Sequence, residues 1–262
     1  MATFSPTAAW VLRSHPNPRA TLRLFCFPYA GGGPQTYYKW SRALPSSVEV
    51  CPVQFPGRGS RLAERPFTHL PHLVQVLATA LAPQLDKPFA FFGHSLGALL
   101  SFELARQIRR EYGLHPAQLF VSAHPAPQQH RVRSPIHTLP EPAFLEEIRR
   151  LNGTPREVLD LPELVELIIP ILRADFGLSE RYAFVPEPPL DCPITAFGGL
   201  QDDMTPRDGL EAWREQTNAF FVVRMLPGDH FFINSAQTLL LRALRADLEQ
   251  LVTKGGGRTE IS

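Results

Sequence analysis

The segment Gly93-His94-Ser95-Leu96-Gly97 sets one serine between two glycines, directly after the apolar run Phe89–Phe92 and directly before a helical pattern. This is a G-x-S-x-G arrangement in a strand–turn–helix setting. A sharp turn there lifts the serine oxygen above the end of a sheet, and the glycines remove side chains that would clash where strand and helix approach closely. A serine hydroxyl is a weak nucleophile until a base takes its proton, so the chain should also carry a histidine and a carboxylate that orients it. The order expected along the chain is Ser, then Asp or Glu, then His. His230 is the only histidine after residue 137, and it lies in the loop Pro227-Gly228-Asp229-His230-Phe231-Phe232 that follows the apolar run Phe220–Met225.

The carboxylate should follow the preceding strand. Ile194–Phe197 leads into Gly198-Gly199-Leu200-Gln201-Asp202-Asp203, where two aspartates compete. Asp202 is preferred, three residues past Gly199 and three before Thr205, with Asp203 as the alternative. Asp229 is adjacent to His230 and badly placed to face its ring. In this reading His230 takes the Ser95 proton, Ser95 attacks an acyl carbon, and Asp202 holds the imidazole tautomer and stabilises its charged form. A tetrahedral intermediate needs backbone N–H donors, one from Leu96 after the nucleophile and one from a loop after an early strand. The run Leu22–Phe27 ends in Pro28-Tyr29-Ala30-Gly31-Gly32-Gly33, and Ala30 is the candidate donor there. No Gly-Lys-Ser/Thr follows, so this is not a phosphate-binding loop. His94 is read as packing behind the site.

These residues need a sheet to position them. The chain has 262 residues, 44% hydrophobic and 19% charged, which suits one globular domain with a sizeable core. A formal charge of +1 leaves no electrostatic footprint for general nucleic-acid binding. Cys26, Cys51 and Cys192 make no metal-ligand spacing. The N-terminus shows no signal-peptide pattern, and no apolar run approaches membrane-spanning length, so a cytoplasmic protein acting away from membranes is expected. Leu22–Phe27, Val48–Val53, Phe89–Phe92, Leu119–Ser122, Ile194–Phe197 and Phe220–Met225 are apolar on both parities, as in strands covered on both faces. Helical patterns over Leu70–Leu85, Leu96–Tyr112, Asp208–Asn218 and about Ser235–Val252 alternate with them. The expectation is an α/β-hydrolase fold: a mostly parallel sheet flanked by helices. From about Pro125 to Pro189 no strand is predicted. Two amphipathic patterns, Glu141–Leu151 and Pro162–Tyr182, read as a helical insertion, with Pro170 expected to kink or split the second. The tail from Lys254 to Ser262 is expected to be flexible.

Several segments together carry a resemblance. Phe25-Cys26-Phe27-Pro28-Tyr29-Ala30-Gly31-Gly32, Phe55-Pro56-Gly57-Arg58, Phe92-Gly93-His94-Ser95-Leu96-Gly97-Ala98, Phe197-Gly198-Gly199 and Pro227-Gly228-Asp229-His230-Phe231-Phe232 resemble the type II thioesterases that accompany polyketide synthases and nonribosomal peptide synthetases. The resemblance spans about residues 20 to 250. It implies hydrolysis of acyl thioesters from the phosphopantetheine arm of an acyl or peptidyl carrier protein; the mechanism needs no cofactor or metal of the enzyme's own, and a monomer is expected. It puts Ser95, Asp202 and His230 in the triad and Ala30 and Leu96 at the oxyanion hole. It also makes the insertion a lid, with Leu164, Leu167, Ile168, Ile171 and Leu172 as candidate acyl-pocket residues. Medium-chain acyl thioesterases of fatty acid synthesis share the pattern, and a general carboxylesterase is the further alternative. Arg58, Arg61 and Arg65, and Arg106, Arg109 and Arg110, are expected to form solvated charged faces, or otherwise to dock an acidic carrier.

Overall fold

Each of the six apolar runs forms a strand: β1 (Leu22–Phe27), β2 (Val48–Pro52), β3 (Phe89–His94), β4 (Gln118–Ser122), β5 (Ile194–Gly199) and β6 (Phe221–Leu226). The computed structural model describes residues 10–13, 16–129 and 135–256. Every strand pairing is parallel, in the order β2-β1-β3-β4-β5-β6. Alternate side chains explain why the strands are apolar throughout. Phe25, Phe27 and Phe91 enter a core beneath one face, while Leu24, Cys26 and Phe92 enter a second core on the other. The first core is closed by α1 (Leu70–Leu81) and α2 (Leu96–Tyr112), which supplies Leu100, Leu104 and Ile108. Trp40 joins the second core.

The helical insertion lies between β4 and β5. It contains α3 (Glu141–Leu151), α4 (Arg156–Leu159) and α5 (Pro162–Glu180), and it has its own small core of Phe144, Ile148, Leu159 and Leu172. After β5 come α6 (Arg207–Glu211), α7 (Phe232–Ser235) and α8 (Gln237–Gly256), whose Leu240, Leu244 and Leu248 complete the second core. α5 runs unbroken through Pro170. The split expected there does not occur. Pro170 cannot donate to the carbonyl of Glu166, but both residues are exposed, so water can satisfy that carbonyl while Ile169 and Ile171 anchor the helix from the buried side. The helix expected over Leu70–Leu85 tightens into a 3-10 turn at Ala82–Gln84, where Pro83 interrupts the α-helical ladder. The final helix reaches Gly256, further than expected, and the rest of the predicted tail lies outside the described residues.

The two arginine groups are each split: Arg58, Arg61 and Arg106 are buried, Arg109 is half-buried, and Arg65 and Arg110 are exposed, so neither group as a whole forms a solvated face. Arg58 and Arg61 are buried, the first paired with Asp175 and the second with Glu64 and stacked over Trp10. Arg106 is buried between Glu103 and Glu187, and Glu187 also pairs with Arg109 and Arg110. These pairs bind the segment after α5 to α2, with Arg106 donating to the Val185 carbonyl and Arg109 to those of Pro188 and Pro189.

Candidate active site

The chain enters the sheet at β1, steps outward to β2 and returns on the far side as β3, so the connections diverge between β1 and β3. Open parallel sheets place their sites in the crevice at the carboxyl ends of such strands. The glycine-rich loop follows β1, and Ser95 follows β3. Ser95 is held at φ 54° and ψ −119°, a conformation few residues with a side chain adopt. The turn leaves room for nothing larger at its flanks. A Cβ on Gly93 would stand 2.0 Å from the Gly97 carbonyl oxygen, and a Cβ on Gly97 would stand 2.1 Å from that of Phe27. The Ser95 N–H donates to the Ser122 carbonyl at 2.7 Å, which fixes the turn to the end of β4.

The loop after β6 brings His230 to this turn. Its Nε2 lies 3.0 Å from Ser95 Oγ, and its Nδ1 lies 2.9 Å from Asp202 Oδ2. The other Asp202 oxygen accepts N–H bonds from Met204 at 2.9 Å and Thr205 at 3.2 Å. Burial alone would raise the Asp202 pKa. The hydrogen bond and charge of His230 and these two backbone donors outweigh it and hold the carboxyl below its ordinary range. Asp203 is exposed and lines the cleft instead, while Asp229 accepts from the Phe231 N–H and shapes the loop. Of the three aspartates, Asp202 alone meets the imidazole.

His94 is fully buried behind His230. Its Nδ1 lies 2.9 Å from Ser122 Oγ, and its Nε2 lies 2.9 Å from the His230 carbonyl oxygen. Burial, followed by the proximity of His230, lowers its pKa to about 3, so it is neutral under ordinary conditions.

The glycine-rich loop makes a tight turn in which the Gly32 N–H donates to the Tyr29 carbonyl at 2.9 Å, with Gly31 at φ +75°. That is the type II geometry, which asks for glycine at the third position. Ala30, Ser95 and Leu96 line one cleft of about 490 Å3 together with His230. The Leu96 N–H opens α2, where no intrahelical acceptor exists. A narrower lobe of about 50 Å3 shares Ala30, Ser95 and His230, and its apolar walls include Ile148, Leu172, Phe176 and Phe231. Among the five insertion residues expected to line an acyl pocket, Leu172 alone lines this lobe beside Ser95. Ile171 is buried elsewhere, Ile168 packs against the insertion's own core, and Leu164 and Leu167 point to solvent. The helical period gave their spacing but not which stripe of α5 turns inward. The sequence places Ile148 only in the amphipathic pattern Glu141–Leu151 and Phe231 only in the segment around His230, and neither is expected from it to line the pocket. Among the described residues, no group of three or more His, Cys, Asp or Glu could hold a metal, and no helix is long and apolar enough to cross a membrane.

A parallel sheet with a serine on a strained turn, and a histidine delivered from the loop after its last strand, defines an α/β-hydrolase. Residues 22–248 match the Thioesterase domain family, and the chain belongs to that family of hydrolases acting on thioesters. It is 47% identical over 233 residues to the gramicidin S biosynthesis protein GrsT of Aneurinibacillus migulanus, covering 89% of this chain and 91% of GrsT. Two solved structures are similar across most of both chains. The type II thioesterase BorB from the borrelidin biosynthetic cluster has a TM-score of 0.84 at 34% identity, over 93% of this chain and 98% of BorB. ClbQ from the colibactin nonribosomal peptide synthetase/polyketide synthase pathway has a TM-score of 0.85 at 32% identity, over 89% of this chain and 99% of ClbQ.

Proposed function

We propose that this chain is a type II thioesterase that clears acyl groups from the phosphopantetheine arms of carrier proteins in polyketide or nonribosomal peptide synthesis, using Ser95, His230 and Asp202 as its triad. The observation that carries the reading is the continuous hydrogen-bonded line from Asp202 through His230 to Ser95, opening on a cleft with an apolar lobe. The relatives named above support the pathway.

In the mechanism, Ser95 Oγ attacks the thioester carbonyl carbon while His230 Nε2 takes its proton. The oxyanion is held by the N–H groups of Ala30 and Leu96, each such donor being worth about 3–4 kcal/mol in chemistry of this type. The carbon–sulfur bond then breaks, and His230 returns its proton to the departing sulfur. Water, deprotonated by the same histidine, attacks the acyl-enzyme carbonyl carbon; the bond to Ser95 Oγ breaks as His230 returns that proton to it, and the acid is freed. Asp202 stays ionised throughout and keeps the imidazole proton on Nδ1. No cofactor of the enzyme's own is needed. The insertion acts as a lid over a single domain, its apolar lobe receiving a small acyl group while the larger cleft admits the arm.

The test is deacylation of a carrier protein loaded with short, medium and aminoacyl groups, followed by intact mass for wild type and Ser95→Ala. Release of several small acyl groups by wild type alone is expected. Release confined to medium chains would instead assign chain termination, and cleavage of simple esters without carrier release would leave only a carboxylesterase.

A further inference from the structure

The lid helix α5 touches the Ala30 turn directly, through a charge that the triad does not use. Asp175 on α5 is buried, and its Oδ2 accepts two hydrogen bonds, each at 2.8 Å, from the Gly31 N–H and from Arg58 Nη1. Its Oδ1 accepts from Arg58 Nη2 at 2.8 Å, and Arg58 Nη1 also donates to the Gly32 carbonyl at 2.9 Å. The remaining guanidinium nitrogen, Arg58 Nε, is buried without a partner among the described residues. One turn earlier on α5, Leu172 sits so close that a Cβ on Gly31 would stand 2.5 Å from its Cδ2.

We propose that Asp175 and Arg58 are positioning residues for the oxyanion loop, so that the Ala30 donor is correctly aimed only while α5 is seated on the body. The inference rests on the thioesterase reading and on Ala30 as a donor. Two peptide planes set the turn. The plane carrying the Ala30 N–H is tied to the turn by the Gly32-to-Tyr29 hydrogen bond, because the Tyr29 carbonyl and the Ala30 N–H belong to one planar trans unit and point opposite ways, so its aim follows the form the turn takes. The next plane ends in the Gly31 N–H. Rotation of that central peptide is what distinguishes a type II turn from a type I turn. Asp175 holds it in the type II sense, and Arg58 braces the Gly32 carbonyl on the other side. If α5 lifts, the central peptide loses its acceptor and the turn its brace. A buried pair with one unsatisfied nitrogen is a poor means of gaining stability, since apolar residues of similar volume do as well or better. Its value lies in where it holds the Gly31 N–H.

The full chain tests this with a short-chain alkylthio trifluoromethyl ketone. Ser95 Oγ adds to the ketone carbon, its proton passes to His230, and the alkoxide formed needs the oxyanion donors. The matching thioether without the ketone reads ground-state binding. In the double variant Asp175→Leu/Arg58→Met, which removes both charges together, thioether affinity should stay within about twofold. The ketone inhibition constant should rise and kcat fall by the same factor, about 10- to 100-fold, with KM little changed. Asp175→Asn keeps the side-chain shape but cannot accept all three bonds, and it should lose at least about threefold in both. It serves as the second variant should the double one not fold. Wild-type ketone affinity and kcat in either folded variant would overturn the proposal. Failure of wild type itself to capture the ketone or to deacylate a carrier is a different result, which removes the thioesterase reading and the proposal with it.

Discussion

His94 and His230 are joined through the backbone: the Nε2–H of His94 donates to the carbonyl oxygen of His230 across 2.9 Å. A carbonyl can only accept, so the proton of the neutral His94 ring lies on Nε2, and Nδ1 is left to accept from the Ser122 hydroxyl. The loop that delivers His230 is therefore tied to the strand ends beneath it.

This tie has a pH signature. Unfolded, His94 takes a proton near pH 6.5; folded, it refuses one until about pH 3. Between those values the unfolded chain binds more protons, so stability falls as pH drops, by up to about 1.4 kcal/mol per pH unit from this group. His94→Gln, which keeps an N–H donor, should flatten the stability profile between pH 6 and 4 in urea titrations at several pH values. A profile parallel to wild type would show that His94 is not held neutral. The Asp202 contribution is lost only at lower pH, because its folded pKa lies below the ordinary 3.8.

Asp202 and Asp203 differ in what they touch. Asp202→Asn should lower kcat about 10^3- to 10^4-fold with KM nearly unchanged, since the amide favours the wrong imidazole tautomer. Asp203→Asn, on the exposed rim, should stay within about threefold of wild type. Steady-state kinetics on one acyl-carrier substrate checks both, and similar small losses would refute the triad assignment.

The arginines on α2 divide by burial. Arg106→Met should destabilise by about 2–3 kcal/mol, because it leaves Glu103 and Glu187 partly buried without their shared partner. Arg110 is far more exposed, and Arg110→Ala should cost under about 1 kcal/mol. Denaturant midpoints check the stabilities. A rise in KM for the carrier on removing Arg110, with stability unchanged, would restore the docking role that the internal pairing argues against.

Leu172 and Leu167 lie on one helix but face opposite ways. Leu172→Ala widens the apolar lobe beside Ser95 and should shift preference toward longer acyl groups, at a stability cost of about 2–4 kcal/mol. Leu167→Ala, half exposed, should change neither chain preference nor stability by more than about 0.5 kcal/mol. Competition between short and medium acyl carriers, with melting curves, checks the pair.

The sheet was legible because its strands are apolar on both parities, as in Phe89–Phe92, and each ends in turn residues. The order of Ser95, Asp202 and His230 was legible because each follows a strand, and strand ends in a parallel sheet converge. The inward stripe of α5 was not, since Ile168, Ile171 and Leu172 are equally apolar and only packing decides which one meets the cleft. The Arg58–Asp175 pair was also hidden. Its members are 117 positions apart, and an arginine after a glycine reads as surface until its partner is placed. Pro170 does not split α5 because a missing N–H matters only where its acceptor is dry, and Glu166 is wet.

The insertion leaves the sheet at β4 and returns at β5, and these two strands are neighbours in register from Leu119↔Ile194 to Ser122↔Phe197. Its length and sequence are thus decoupled from the strands that carry Ser95 and His230. On the proposed reading, selectivity can drift by exchanging these helices while the strands that carry the triad stay unchanged, provided that whatever replaces α5 still offers a carboxylate to the Gly31 amide.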